Sequence, residues 1–357
     1  MKTFQYLESS PFVLAGDIGG TNTTLAIVER ISPQDFVVRE KIRFSSPELS
    51  SIEEGLTKAQ AFFSDQLGNI ELRGIAISGA GPVQNNVCTT SNLAWNIDGV
   101  GISREFGLPT LIMNDFTAIC YGIPLLDQQN SNQLIPLPQP NGLVPRQKEF
   151  RSNCTIQAVV GAGTGLGIGY LIKDRGHYMA FPSEAGHSDF GAYDQATREL
   201  QQYLVGQFGK NPGVEQYVSG QGITNIHRFL CSKQPECPQE NAQILALPKD
   251  QQAPEISKLS KSNEICGATL ELFVQMYARF ASTIALTFLP QAGLFLAGGI
   301  AAKNKQWFME DHLFMKFFLE NYKDSIRPAL IDIPVYIVDD YGISLPGAAL
   351  GFFALNG

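Results

Sequence analysis

Apolar runs along the chain are cut by glycine-rich turns in a pattern that recurs. Residues 12–28, FVLAGDIGGTNTTLAIV, alternate as strand, bend and strand with Gly19 and Gly20 at the bend, which is the signature of a β-hairpin. Residues 155–172, TIQAVVGAGTGLGIGYLI, repeat that design. One design used twice predicts a duplicated unit, each copy opening a domain. Elsewhere, 70–78 (IELRGIAIS) and 110–114 (TLIMN) predict strands with helical stretches between or after them. Apolar positions at helical spacing predict an amphipathic helix over 264–289, and GLFLAGG at 293–299 predicts a strand ending in a turn. Helical pattern resumes at 304–320, followed by a strand at 334–338 and a small-residue helix at 346–355. Mixed elements of this kind predict a layered α/β architecture.

Two polar segments interrupt the pattern. Residues 127–153 hold Pro136, Pro138, Pro140 and Pro145 among Gln and Asn, a composition that cannot continue a helix or a central strand. Residues 231–262 are similarly polar and read as irregular. Strand signals resume after each, so both are expected to be surface insertions rather than domain linkers.

Length and composition narrow the picture. The 357 residues leave room for two domains, and a hydrophobic share of 44% with 17% charged residues is that of a soluble globular protein. A net charge of −8, with pI near 5.1, disfavours nucleic acid as a partner. Small anions stay open, because a few backbone amides and one metal ion can bind them locally. No stretch approaches the roughly 18 apolar residues needed to cross a membrane, and MKTFQYLESSPF lacks the apolar run of a signal peptide. Six scattered cysteines fit reduced thiols in a cytoplasmic protein better than a disulfide scaffold. His227, Cys231 and Cys237 would need a fourth ligand to hold zinc and lack the usual tight spacing, so the two cysteines read as loop residues.

Candidate chemistry gathers at the glycine turns. Backbone amides hold phosphate where glycines let the chain approach its oxygens. Gly16-Asp17-Ile18-Gly19-Gly20-Thr21-Asn22 offers this with a carboxylate and a hydroxyl, and Gly161 to Gly167 offers a second turn with the hydroxyl of Thr164. No Gly-Lys-Ser/Thr follows either turn, and the second fails the G-x-G-x-x-G spacing, which excludes a P-loop and argues against a dinucleotide site. Gly298-Gly299 after LFLA suits either a plain strand-to-helix turn or the close approach of a flat ring such as adenine. Asp115 follows the strand LIM, where a carboxylate could accept a hydroxyl proton. Asn114-Asp115 equally suits a helix N-cap before FTAICYG, and the two roles can coexist.

Eight segments in order, AGDIGGTNTTLAIV, SGAGPVQNN, TSNLAW, LIMNDFTAICYG, VVGAGTGLGIGYL, PSEAGHSDF, VEQYVSGQGI and FLAGGIAAK, give the chain a resemblance to the bacterial-type glucokinases of the hexokinase, actin and Hsp70 superfamily, from Val13 to about Ala354. The resemblance implies two ribonuclease-H-like (actin-like ATPase) α/β domains with an active-site cleft between them. The small domain would comprise 1–113 plus about 341–357, and the large one 114–340. It implies ATP-dependent phosphorylation of glucose at the 6-hydroxyl, with Asp115 as catalytic base. Asn114, Asp115, Glu184, His187 and Glu215 would bind the sugar. Asp17, Gly19, Gly20, Thr21 and Asn22, with Gly163, Thr164 and Gly165, would meet the ATP phosphates, Gly298 and Gly299 the adenosine, and Asp17 would hold Mg2+ through water. A homodimer is expected. In the sugar motif Glu-Gly-Gly-His, Ala185 replaces the first glycine; alanine tolerates positive φ poorly, so a differently shaped loop is expected there. The cysteine-rich zinc motif of the related ROK (repressor, open reading frame, kinase) family is missing, as is a helix-turn-helix segment ahead of Val13, which counts against a sugar-responsive repressor. A kinase for another hexose, or a non-catalytic sugar binder of the same fold, is the alternative.

Overall fold

The computed structural model describes residues 4–90, 93–148 and 154–356. Ser91 and Asn92 of the TSNLAW segment, residues 149–153 of the first polar segment and the first three residues of the chain lie outside the described residues. The chain divides into two compact units: Met1–Gln133, Leu171–Pro182 and Asp340–Gly357 form the first, and Leu134–Tyr170 and Ser183–Asp339 the second. Against the boundary expected at 113, this division groups Asn114 and Asp115 with Asp17.

The first unit is built on a five-stranded sheet in the order Thr110–Asn114, Gly74–Gly79, Phe12–Ile18, Asn22–Ser32, Asp35–Ser45. The hairpin expected at 12–28 is present, with Asp17 opposite Thr24 and Ile18 opposite Thr23. Phe12–Ile18 also runs parallel to Gly74–Gly79, which runs parallel to Thr110–Asn114. Three parallel strands therefore end at one edge of the sheet, where ligands are bound in open α/β sheets. Side chains alternate across the sheet: Leu14, Ile18, Leu25 and Ile27 pack with Ile52, Leu56, Ala59 and Phe63 of the helix Ile52–Leu67. Val13, Ala15, Ala26 and Ala76 meet Leu345, Ala348, Ala349 and Phe352 of the C-terminal helix Ser344–Asn356. The strand expected over 70–78 is split at Arg73, and its first part, Glu71–Leu72, pairs with Gln5–Tyr6.

In the second unit Cys154–Ala162, Leu294–Ala297 and Val335–Val338 lie parallel and side by side. Leu134–Pro136 closes one edge in antiparallel pairing, a place where proline's missing donor is harmless. On the other side lies the start of the strand Leu166–Asp174, whose residues up to Tyr170 belong to this unit. The helix Glu264–Phe288 runs through the core, burying Phe273, Tyr277, Ala281 and Ile284, and the Tyr277 hydroxyl donates to Val160 O at 2.9 Å.

Two expectations fail in this unit. Residues 231–262 are not irregular: Gln239–Ala246 and Lys249–Leu259 are helices. Their buried stripe is too sparse in apolar residues to show in composition, consisting of Ile244, Ile256 and the polar Asn241 and Gln252; the Gln252 amide donates to Leu245 O and Leu247 O at 3.1 and 2.7 Å. Cys231 is likewise a buried residue in the last turn of Gly220–Ser232 rather than a loop residue. The helical stretch at 304–320 is broken, with Asp311 (φ 48°) and His312 (φ 55°) left-handed between Lys305–Met309 and Leu313–Phe318. Among the described residues, no helix is long and apolar enough to cross a membrane.

Candidate active site

In the first unit, Asp17 stands at the edge where the three parallel strands end, in register with Ser78. The turn that follows is braced from within: Gly19 N donates to Asn22 O at 2.9 Å, and Ser46 Oγ donates to Gly19 O at 2.7 Å. Thr23 Oγ1 and Ser46 Oγ share a buried hydrogen bond of 2.9 Å. This fixes the path of Gly19, Gly20, Thr21 and Asn22. The carboxylate of Asp17 accepts from Ser344 Oγ at 2.7 Å and stands 3.5 Å from Ser78 Oγ.

Asn114 ends its strand and caps the helix Asp115–Gly122, with Oδ1 accepting from Phe116 N at 2.9 Å. Its Nδ2 donates to Gly81 O at 3.0 Å, which ties the cap to the SGAG segment. Asp115 Oδ1 accepts from the same Phe116 amide at 2.9 Å. Burial pushes the Asp115 carboxyl above the usual carboxylate range; the Phe116 amide opposes this, and the charge of Asp17 adds to it. Neither aspartate forms an ion pair with lysine or arginine among the described residues. One or two carboxylates with uncompensated charge are the donor set that Mg2+ takes alongside substrate phosphates, so these residues fit that ion.

The second unit gathers the other candidates. Gly163 N donates to Gly165 O at 2.9 Å, closing the glycine turn with Thr164 exposed at its tip. Gly220 N, in the helix capped by Ser219, donates to Gly163 O at 2.8 Å. Glu215 reaches the same turn, its Oε2 accepting from Leu166 N at 3.0 Å. A Cβ on Gly165 would lie 2.7 Å from that oxygen. Gly298 follows Ala297 with φ +83°, and a Cβ there would sit 2.5 Å from Ala162 O, so this position requires glycine twice over. Gly299 begins the helix Gly299–Lys303.

Glu184 precedes and His187 ends a single turn of 3-10 helix, with Glu184 Oε2 and His187 Nε2 3.7 Å apart and the side chains 87% and 67% exposed. Exposed polar groups of this kind are available to a ligand. Val214 N donates to Ser188 O at 2.9 Å, joining this turn to the segment that carries Glu215. Ala185 does not have positive φ, so the alanine carries no strain of that kind. Gly186 is the glycine the turn requires, because a Cβ would meet Leu166 O at 2.4 Å.

Gly163–Gly165, Glu184–His187, Glu215 and Gly298 thus converge within the second unit, and Asp17, Asn114 and Asp115 within the first. Sequence reasoning missed the hydroxyls on Asp17. Ser78 had a signal in the SGAG segment; Ser344, 327 positions away, had none. His227 carries no such role: buried in its helix with Nδ1 3.2 Å from Thr269 Oγ1, its pKa is lowered by burial to about 4.

The family model for glucokinase matches residues 14–354. The chain belongs to the glucokinase family. The glucokinase of Nostoc punctiforme is 33% identical over 357 residues, covering 95% of this chain and 98% of that protein. The fold is shared with solved members: the crystal structure of a glucokinase from an Antarctic psychrotroph superposes with a TM-score of 0.79 at 24% identity, covering 97% and 99% of the two chains. A ROK family glucokinase from Streptomyces griseus, solved with glucose and AMPPNP, gives a TM-score of 0.59 at 16% identity over 97% and 100% of the chains.

Proposed function

We propose that the protein transfers the γ-phosphoryl group of ATP to the 6-hydroxyl of glucose. The observation that carries this, on a chain of the glucokinase family, is Asp115. It is a partly buried carboxylate at the end of a strand, made more basic by burial and by Asp17, with one oxygen engaged by a backbone amide. Phosphoryl transfer to an alcohol needs positioning, charge neutralisation and an acceptor for the hydroxyl proton. Asp115 accepts that proton, and Asn114, Glu184, His187 and Glu215 offer the amide, carboxylate and imidazole groups that pair with a hexose's hydroxyls. The turns Gly19–Asn22 and Gly163–Gly165 receive the phosphates, with the Gly19 and Gly163 amides closing the turns from within, and Gly298-Gly299 admits the adenosine. Asp17 would hold Mg2+, and the ion, when bound, would neutralise charge that develops on the phosphates. Two ribonuclease-H-like domains with the active site in a cleft, a homodimer and a cytoplasmic location belong to the same proposal.

Coupled product formation with a panel of hexoses tests it. Glucose is expected to give glucose 6-phosphate at the highest kcat/KM. Turnover of another hexose with none on glucose would mean a different sugar kinase, and binding without turnover of any hexose would mean a sugar-binding protein of this fold.

A further inference from the structure

Asp17 is held from the far end of the chain. The Ser344 hydroxyl donates to Asp17 Oδ2 at 2.7 Å, and Ser344 is 8% exposed. Ser78 Oγ stands 3.5 Å from the other carboxylate oxygen and spends its shorter bond, 3.0 Å, on Gly16 O. Ser344 therefore supplies the one short side-chain hydrogen bond to this carboxylate among the described residues. The segment that carries it is itself fixed. Gly342 N donates to Asp340 Oδ1 at 2.7 Å just before the helix begins. A Cβ on Gly347 would fall 2.0 Å from Ala118 O, and one on Gly122 2.7 Å from Ile343 O. The start of the C-terminal helix is thus in backbone contact with the helix that Asp115 opens.

A carboxylate beside a second carboxylate, with no cation paired to it, gains by turning away. A charge-assisted hydrogen bond is strong enough to oppose that. We propose that Ser344 is the positioning residue of Asp17. Its hydroxyl fixes the carboxylate's torsion, occupies Oδ2 and leaves Oδ1 directed to the nucleotide-bound metal. Because its segment is anchored on the helix of Asp115, it also sets the spacing of the two aspartates. This rests on reading Asp17 as the residue that meets Mg-ATP.

The test is calorimetric titration of the full-length protein with Mg-AMPPNP and, separately, with glucose, for Ser344→Ala, Ser344→Thr, Asp17→Ala and the Asp17→Ala/Ser344→Ala double variant. Removing a hydrogen bond to a charged group is expected to weaken Mg-AMPPNP binding about tenfold in Ser344→Ala, with glucose affinity unchanged. Threonine, which keeps the hydroxyl, is expected to restore most of the loss. If Ser344 acts only through Asp17, the double variant binds Mg-AMPPNP no more than about twofold worse than Asp17→Ala. Wild-type nucleotide affinity in Ser344→Ala, with or without a lowered melting temperature, overturns the proposal and makes the hydroxyl structural. A full further tenfold loss in the double variant overturns it too. Unchanged affinity in Asp17→Ala is a different failure: it removes Asp17 from the nucleotide site and this inference with it.

Discussion

Asp115 has one structural duty in the fold and, in the proposed reaction, a chemical one. Its Oδ1 accepts the Phe116 amide while Asn114 caps the same helix, so the cap does not depend on Asp115 alone. Asp115→Asn is therefore expected to fold and to bind glucose, yet to lose kcat by about 10²-fold or more, because an amide takes no proton. More than a tenth of wild-type kcat in that variant would remove Asp115 as the base. The raised pKa fixes the sign of the pH dependence. Below it Asp115 is protonated and cannot accept the sugar's proton, so kcat should fall with decreasing pH, through a pKa above the usual aspartate value of about 3.9. An acid limb at or below that value would show that another group controls the rate. Asn114-Asp115 was legible as a pair because local sequence carries both the cap and the strand end. The Ser344 hydroxyl on Asp17 was not, because only the folded topology joins the two ends of the chain.

Elements built on short-range pattern were the readable ones. Both glycine hairpins, the strand over 110–114 and the helix over 264–288 occur where periodicity and turn residues put them. The helices Gln239–Ala246 and Lys249–Leu259 were hidden because their inward face is closed by the amide of Gln252 as well as by isoleucines. The break at Asp311 and His312 was hidden because it contains no glycine or proline, and Asp and His, though tolerant of positive φ, also occur inside helices. What the glycines do was only half readable. At Gly347 a Cβ would lie 2.0 Å from the backbone oxygen Ala118 O, which cannot swing aside as a side chain can. Gly347→Ala should accordingly destabilise the protein by about 1–3 kcal/mol in urea unfolding, the usual range for overpacking. At Gly165 the obstacle is the end of a side chain, Glu215 Oε2 at 2.7 Å. Gly165→Ala should keep its stability within about 1 kcal/mol but push Glu215 off Leu166 N and raise the KM for glucose. An equal loss of stability in both variants would show that the flexible carboxylate does not yield.

At the scale of the whole molecule the candidate residues are shared out: Asp17, Asn114 and Asp115 belong to the first unit, and Glu184, His187 and Glu215 to the second. The grouping of residues 114–133 and 171–182 with the first unit depends on long-range packing, which the order of motifs does not carry. If glucose is held by Asn114 and Asp115 as well as by Glu184, His187 and Glu215, then glucose alone must stabilise both units. Amide exchange should slow at 114–118 in one unit and at 184–188 and 214–216 in the other when glucose is added without nucleotide. Unfolding should be opposed by about 2.7 kcal/mol at a glucose concentration 100 times Kd, provided only the folded state binds. Glu184→Ala should weaken protection in both units together at a fixed glucose concentration, because it lowers occupancy of one shared ligand rather than disturbing the first unit directly. Protection confined to the second unit would leave Asp115 without a sugar hydroxyl to deprotonate. Protection of both units by a different hexose, with none from glucose, would keep the shared site and change the sugar.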